Sequence, residues 1–248
     1  MSEIDINNGL LRSHAARPHV SIVIPVLNEA QLVIPALSAL TDLRARGCEI
    51  ILVDGGSDDD SFGVATRSQL ADRVMSSGRG RARQMNEGAR AASGTVLLFL
   101  HVDTRLPADA DRILRQVVDT GTSAWGRFDV HIEGRNRLLP VIAFCMNLRS
   151  RLTGIATGDQ AMFVRRDLFE RVSGFPLLPL MEDIAMSRIL KRIAMPLCLW
   201  VKVTTSGRRW EKGGALRTIL LMWRLRLAYF LGISTERLAR SYERQGRF

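Results

Sequence analysis

The sequence predicts a single mixed α/β domain around a mostly parallel sheet, and three observations predict it. First, short apolar runs end abruptly at polar or acidic residues. Val20–Pro25 leads into Val26-Leu27-Asn28-Glu29, Ile50–Val53 into Asp54-Gly55-Gly56-Ser57-Asp58, and Val96–Leu100 into His101-Val102-Asp103. Second, stretches of helical periodicity separate those runs, as right-handed strand–helix–strand crossovers require. Third, 46% apolar and 24% charged residues in 248 supply an ordinary globular core. Open α/β sheets bind ligands at the carboxyl ends of their strands, so three such ends on one edge point to a phosphate-bearing ligand held through a metal.

Taken in order, the first strand precedes a helical pattern over about 29–46, with Leu32, Val33, Ala36, Leu37 and Leu40 on one face and Pro35 as a local breaker. After the strand at 50–53, a helix is expected over 57–70 and a short strand at 74–75. A further helix over 81–92 is closed by Gly94 before the strand at 96–100. Beyond Asp103 the rhythm becomes mixed. The pattern predicts helices over 107–118, 138–152 and 182–193, and strands over 124–133, 160–164 and 197–203. The expected organisation is a loose leader over 1–18, a catalytic domain over 19–210 and a basic amphipathic helical segment over 211–248.

A net charge of +10 favours acidic partners: nucleotide phosphates, nucleic acid or an anionic membrane surface. No nucleic-acid module is recognisable, so nucleic acid is not expected as a partner. The three cysteines, Cys48, Cys145 and Cys198, form no CxxC pair, which argues against a disulfide framework or a zinc site and for a reducing, cytoplasmic setting. The first 18 residues contain no apolar secretion-signal core.

Within the motifs, Gly55 and Gly56 permit a tight turn near a ligand, and Asp54 at its strand end can accept hydrogen bonds from a base or ribose. A purely structural N-capping role for Ser57 or Asp58 stays open beside it. Gly78-Arg79-Gly80-Arg81 only superficially resembles a dinucleotide fingerprint, because the third glycine is missing from its place. It can still form an anion site at the start of an Arg-rich helix, or a solvated basic face. His101 and Asp103, two apart in extended chain, can face one metal–diphosphate. A carboxylate suits Mg²⁺ or Mn²⁺, whereas a histidine nitrogen suits Mn²⁺ better. Gly158-Asp159-Gln160 and Glu182-Asp183 offer carboxylates for general-base work or for the dipole of a helix start.

Together these segments resemble a family 2 glycosyltransferase of the GT-A fold, over roughly residues 20–210. The resemblance is carried in order by Ser21–Glu29, Val53–Asp59, Gly80–Gly88, His101-Val102-Asp103 and Glu182-Asp183. Gly78–Asn86, Phe99–Thr104, Gly158-Asp159-Gln160 and Arg208-Arg209-Trp210 are more similar still to a small bacterial subgroup. The resemblance implies an inverting transfer of one sugar from a nucleoside-diphosphate sugar, UDP-linked first, to a hydroxyl acceptor. By the same resemblance Pro25, Glu29 and Asp54 line the nucleoside pocket with Arg81 near the diphosphate. Asp103 with His101 holds Mn²⁺ or Mg²⁺, Asp183 is the base, and Asp159, Gln160, Glu182, Arg209 and Trp210 form the acceptor side. Two positions depart from the family pattern: His101 stands where Asp-x-Asp has its first carboxylate, and only Arg-Trp remains of Gln-x-x-Arg-Trp. With no paired membrane spans either, single transfer is expected rather than polymer extrusion.

In the tail, Leu216, Leu220, Trp223, Leu227 and Phe230 share one helical face, with Arg217, Arg224 and Arg226 interspersed. The pattern fits equally a helix lying peripherally on an anionic membrane, which suits a lipid-linked acceptor, and a helix packed on the domain's own core. Rival readings for the whole chain are a nucleotidyltransferase, whose glycine-rich loop would follow the first strand, and a non-catalytic basic membrane- or polyanion-binding protein.

Overall fold

The computed structural model describes residues 19–121 and 123–246; the leader expected over 1–18 lies outside the described residues. Val20–Val26 (β1), Glu49–Asp54 (β2) and Arg73–Ser76 (β3) run parallel, with β2 between the other two. Val96–Phe99 (β4) joins the other edge of β1, also parallel. The sheet continues through Met162–Arg165 (β7), Trp125–Glu133 (β6), Leu197–Ser206 (β8) and Thr104–Arg105 (β5). Its strand order is β3-β2-β1-β4-β7-β6-β8-β5. Pairs β4–β7, β6–β7 and β5–β8 are antiparallel, and β6–β8 is parallel. The sheet is thus mixed, and its regular parallel part is the N-terminal half.

Strand alternation sends successive side chains to opposite layers. Ile22, Ile24, Ile50, Leu52 and Leu98 face one core, which Ala30–Ser38 (α1), Thr41–Ala45 (α2), Ser61–Ser68 (α3), Ala110–Asp119 (α5) and Leu139–Thr153 (α6) cover. Val23, Ile51, Val53, Leu97 and Phe99 face the other, under Arg81–Ala91 (α4), Arg166–Arg171 (α7) and Glu182–Lys191 (α8). A third, smaller cluster seats Ala215–Phe230 (α10) and Thr235–Gly246 (α11): Leu221, Leu225 and Leu238 pack on Ile155, Met181 and Ile184. Arg208–Gly213 (α9) runs across the boundary expected at 210/211.

Several expectations are corrected. The helix expected over 29–46 is two, because Leu40 turns into the core and its N–H bonds three residues back to Leu37. The strand expected at 160–164 starts at Met162. Gly158–Gln160 form a 3₁₀ turn instead, and Ala161 leaves it with φ of 45°. The helix expected from 57 begins at Ser61, since Ser57 is drawn into bonds with Asp54 and Asn28. Strand β8 runs three residues past its expected end at 203, and β5 and α7 were not among the expected elements.

Candidate active site

The chain reverses direction across the sheet between β1 and β4: β2 and β3 lie to one side of β1, β4 to the other. That switch point opens a crevice at the strands' carboxyl ends, where ligands of open α/β sheets sit. Pro25 from β1, Arg81 from α4, His101 after β4, Gly158, and Glu182 with Asp183 from α8 line one cleft there.

On the β1–β2 side the loops are tied to each other. Asp54 accepts from the Gly56 and Ser57 N–H groups at 2.9 and 3.0 Å and from the Ser57 hydroxyl. Its carboxylate, 3% exposed, therefore sets the shape of the loop. Asn28, with φ of 55°, accepts from Asp58 N–H, while Glu29 and Ala30 N–H groups donate to Ser61 and Asp59. Buried Gln84 clamps both strand ends, donating from Nε2 to the Val26 and Val53 carbonyls at 2.7 and 2.9 Å. Nothing in the periodicity singled Gln84 out; its place three residues into an anion-loop helix was the available signal.

On the other side, Met181 stands in the left-handed region with φ of 69°, an uncommon conformation for a non-glycine residue that turns the chain into α8. Asp183 accepts from Gly158 N–H at 3.0 Å and from Ile184 N–H at 2.7 Å, so its carboxylate is fixed against the 158–160 turn. Glu182 is buried, 3.7 Å from the half-exposed Arg81. Burial pushes the Glu182 carboxyl above its ordinary range, with Asp183 pushing the same way and Arg81 opposing. His101 Nδ1 lies 3.3 Å from Asp159. Burial pushes Asp159 up, but the His101 hydrogen bond and charge, then Arg209 and Arg81, outweigh it and hold the carboxyl well below the usual range. Gly158 makes this pairing possible, because a Cβ there would sit 2.3 Å from His101 Nε2.

The structure pairs His101 with Asp159 and Asp103 with Arg208, whose Nη2 lies 3.7 Å from Asp103 and 3.5 Å from Glu29. Arg208 was visible only as part of the Arg-Arg-Trp run, and its link between Glu29 and Asp103 is a finding of the fold. Among the described residues, no three His, Cys, Asp or Glu side chains converge on a metal position. Asp103, 29% exposed, still fits a hard cation, which takes one or two carboxylates and completes its shell with substrate phosphates. Two acceptor-side expectations change. Gln160 is fully buried, its amide engaged by Thr157 and Asn147, and does not line the site. Trp210 packs against the main core. Arg209 faces Tyr242, 5.8 Å from its ring, within electrostatic reach of Asp159.

A crevice at a parallel switch point, flanked by a mixed antiparallel half that brings an acidic helix start to it, defines a GT-A glycosyltransferase fold. The model of "Glycosyl transferase family 2" matches residues 21–172, and the chain belongs to that family. Over 105 residues it is 35% identical to a PGL/p-HBAD biosynthesis glycosyltransferase of Mycobacterium bovis, covering 40% of this chain and 41% of the relative. Over 155 residues it is 28% identical to an undecaprenyl-phosphate 4-deoxy-4-formamido-L-arabinose transferase of Yersinia enterocolitica, covering 59% and 47%. The chain thus spans less than half the length of these curated relatives. In fold it is similar to S. aureus TarS in complex with UDP-GlcNAc, with TM-score 0.61, 16% identity, and 75% of this chain and 58% of that one covered. It is likewise similar to the mannosyltransferase PcManGT of Pyrobaculum calidifontis in complex with GDP-Man and Mn²⁺, with TM-score 0.59, 22% identity, and 86% and 62% covered.

Proposed function

We propose that this chain is an inverting glycosyltransferase that moves one sugar from a nucleoside-diphosphate donor, UDP-linked first, to a hydroxyl on a lipid-linked acceptor. The single observation that carries the reading is the convergence of Pro25, Arg81, His101, Glu182 and Asp183 on one cleft at the sheet's switch point. Family membership supports the reaction class, and the relative named for undecaprenyl phosphate supports a lipid-borne acceptor. Residues 19–210 form the catalytic unit in this reading and 211–248 its appendage.

The nucleoside seats against Pro25, Glu29 and the loop that Asp54 shapes. Arg81, half exposed over the cleft, is placed to contact the diphosphate. Asp103 would hold a divalent cation, Mn²⁺ or Mg²⁺, which when bound neutralises charge on the departing diphosphate. Asp183, oriented by two backbone N–H groups, takes the proton of the acceptor hydroxyl as its oxygen attacks the anomeric carbon from the face opposite the leaving group. His101, paired with Asp159, closes the wall beside it.

Calorimetric titration with UDP and other nucleoside diphosphates, with and without Mn²⁺, tests the donor site. The expected result is cation-dependent binding to one of them, lost in Asp103→Ala. No binding of any nucleoside diphosphate under either condition would overturn the reading.

A further inference from the structure

The carboxylate that fits a cation already faces a positive group of the chain itself. Arg208 Nη2 stands 3.7 Å from Asp103 and 3.5 Å from Glu29, so one guanidinium lies between a carboxylate that follows β4 and one that follows β1. Glu29 and Arg208 are 179 residues apart in sequence, and only the sheet brings them together. His101, the other residue expected at the cation, is held by Asp159 instead, 3.3 Å away. Asp103 is therefore the group that Arg208 and a divalent cation both address. Arg81 is not part of this arrangement, because its carboxylate partner is Glu182 on the opposite wall, 3.7 Å away.

The backbone beneath Arg208 is fixed, whereas its side chain is loosely held. Ser206 N–H donates to the Asp103 carbonyl at 3.2 Å, and Thr104 pairs with Thr205 across β5 and β8, their buried hydroxyls 3.0 Å apart. Gly207 N–H donates to the Glu133 carbonyl at 2.7 Å, and a Cβ on Gly207 would stand 2.7 Å from that same oxygen. The turn that carries Arg208 is thus bonded to the segment that carries Asp103. The guanidinium itself is 45% exposed, and both its contacts are longer than the about 2.7–2.9 Å of a tight charge-assisted bond. Ion pairs this long and this exposed contribute little and exchange partners easily. A divalent cation at Asp103 would repel Arg208. A diphosphate would offer it better acceptors than two shared carboxylates do, because the guanidinium fork matches phosphate oxygens.

We infer that Arg208 couples the cation to the donor: it bridges Glu29 and Asp103 in the free protein and yields Asp103 to the cation as the donor diphosphate takes its guanidinium. This rests on the donor and cation placement proposed above and adds a linkage between the two. A cation arriving alone has to drive Arg208 from Asp103 with no new acceptor to receive it. A diphosphate arriving alone draws Arg208 away and leaves Glu29 and Asp103 uncompensated beside its own negative charge. When both arrive, the cation takes Asp103, Arg208 takes phosphate oxygens, and each charge keeps a partner. The exchange is ionic, and no covalent bond changes. Each ligand then raises the affinity of the other by one common factor, and Arg208 sets a large part of that factor.

The test titrates Mn²⁺ into the full chain without nucleotide, following the free-ion signal by electron paramagnetic resonance. UDP and GDP are titrated by calorimetry with and without Mn²⁺. Arg208→Gln is expected to bind Mn²⁺ alone roughly three- to tenfold tighter than wild type, the scale of losing one or two exposed ion pairs. The factor by which Mn²⁺ tightens the nucleoside diphosphate is expected to shrink by about the same amount. Arg208→Lys, which keeps the charge, guards against a folding artefact and is expected to bind Mn²⁺ alone no tighter than wild type. Arg90→Gln removes an exposed arginine paired with Glu87 at the far end of α4 and is expected to change neither quantity. Unchanged Mn²⁺ affinity in Arg208→Gln would overturn the inference, as would equal tightening in Arg90→Gln, which would mark an effect of net charge alone. Nucleoside diphosphate binding that keeps the same Mn²⁺ factor in Arg208→Gln sinks this inference alone; no nucleoside diphosphate binding in any sample sinks the donor reading beneath it.

Discussion

The two halves of the cleft are built by different means. On the β1–β2 side the walls are backbone loops, held by hydrogen bonds among Asn28, Asp54, Ser57, Asp59 and Ser61 and clamped by Gln84. On the α6–α8 side the cleft is lined by charged side chains, with a buried charge network between β6 and α6 behind them. Arg127, fully buried, pairs with Asp129, which also binds Arg151 at 2.8 Å, and Arg127 reaches Ser150 and the Asn147 carbonyl on α6. The family match ends at residue 172, before Glu182 and Asp183. A loop locked by its own backbone suits a ligand part common to a family; a wall of charged side chains can be changed residue by residue to suit one acceptor.

The comparison breaks most visibly at Asp183. In the proposed mechanism Asp183→Asn lowers kcat by about 10²–10⁴-fold and leaves nucleoside diphosphate affinity unchanged; a parallel loss of donor binding in calorimetry would mean the halves are not separable. Next in size, Asp129→Ala strands Arg127 in the core and is expected to cost about 3–5 kcal/mol, read as a lower urea midpoint. Donor binding by the protein that remains folded should persist. Gln84→Met sharpens the contrast from the other side. Removing the two Gln84 bonds, while the Val26 carbonyl keeps the Gly55 N–H, is expected to cost about 0.5–1.5 kcal/mol per bond lost and to raise the donor KM more than it lowers kcat.

The smallest effect is at Glu182. Its folded-state carboxyl is raised by burial and by Asp183, so the folded protein holds that proton longer than the unfolded chain does. Stability from this group is full below the ordinary glutamate range and is lost as pH rises through the raised value. Glu182→Gln is therefore expected to raise Tm modestly at pH 7, with the gain closing as pH falls through the glutamate range. A gain independent of pH would show that the charge is not its cause.

The sequence by itself determined the parallel half: apolar runs ending at Glu29, Asp54 and His101 predicted strands whose carboxyl ends now frame one crevice. Local patterns sufficed there, because strand identity, tight turns and helix starts are set by neighbours a few residues apart. The same reach explains the five-residue stripe on α10, whose members were legible as one face, although periodicity could not say whether that face turns in or out. Tertiary structure decided that it turns out and that Leu221 and Leu225 turn in. It also decided that Gln160 is buried and that Arg208 spans Glu29 and Asp103. Each of these depends on charges and side chains brought together from distant segments, and such contacts exist only once the sheet has placed its strand ends on one edge.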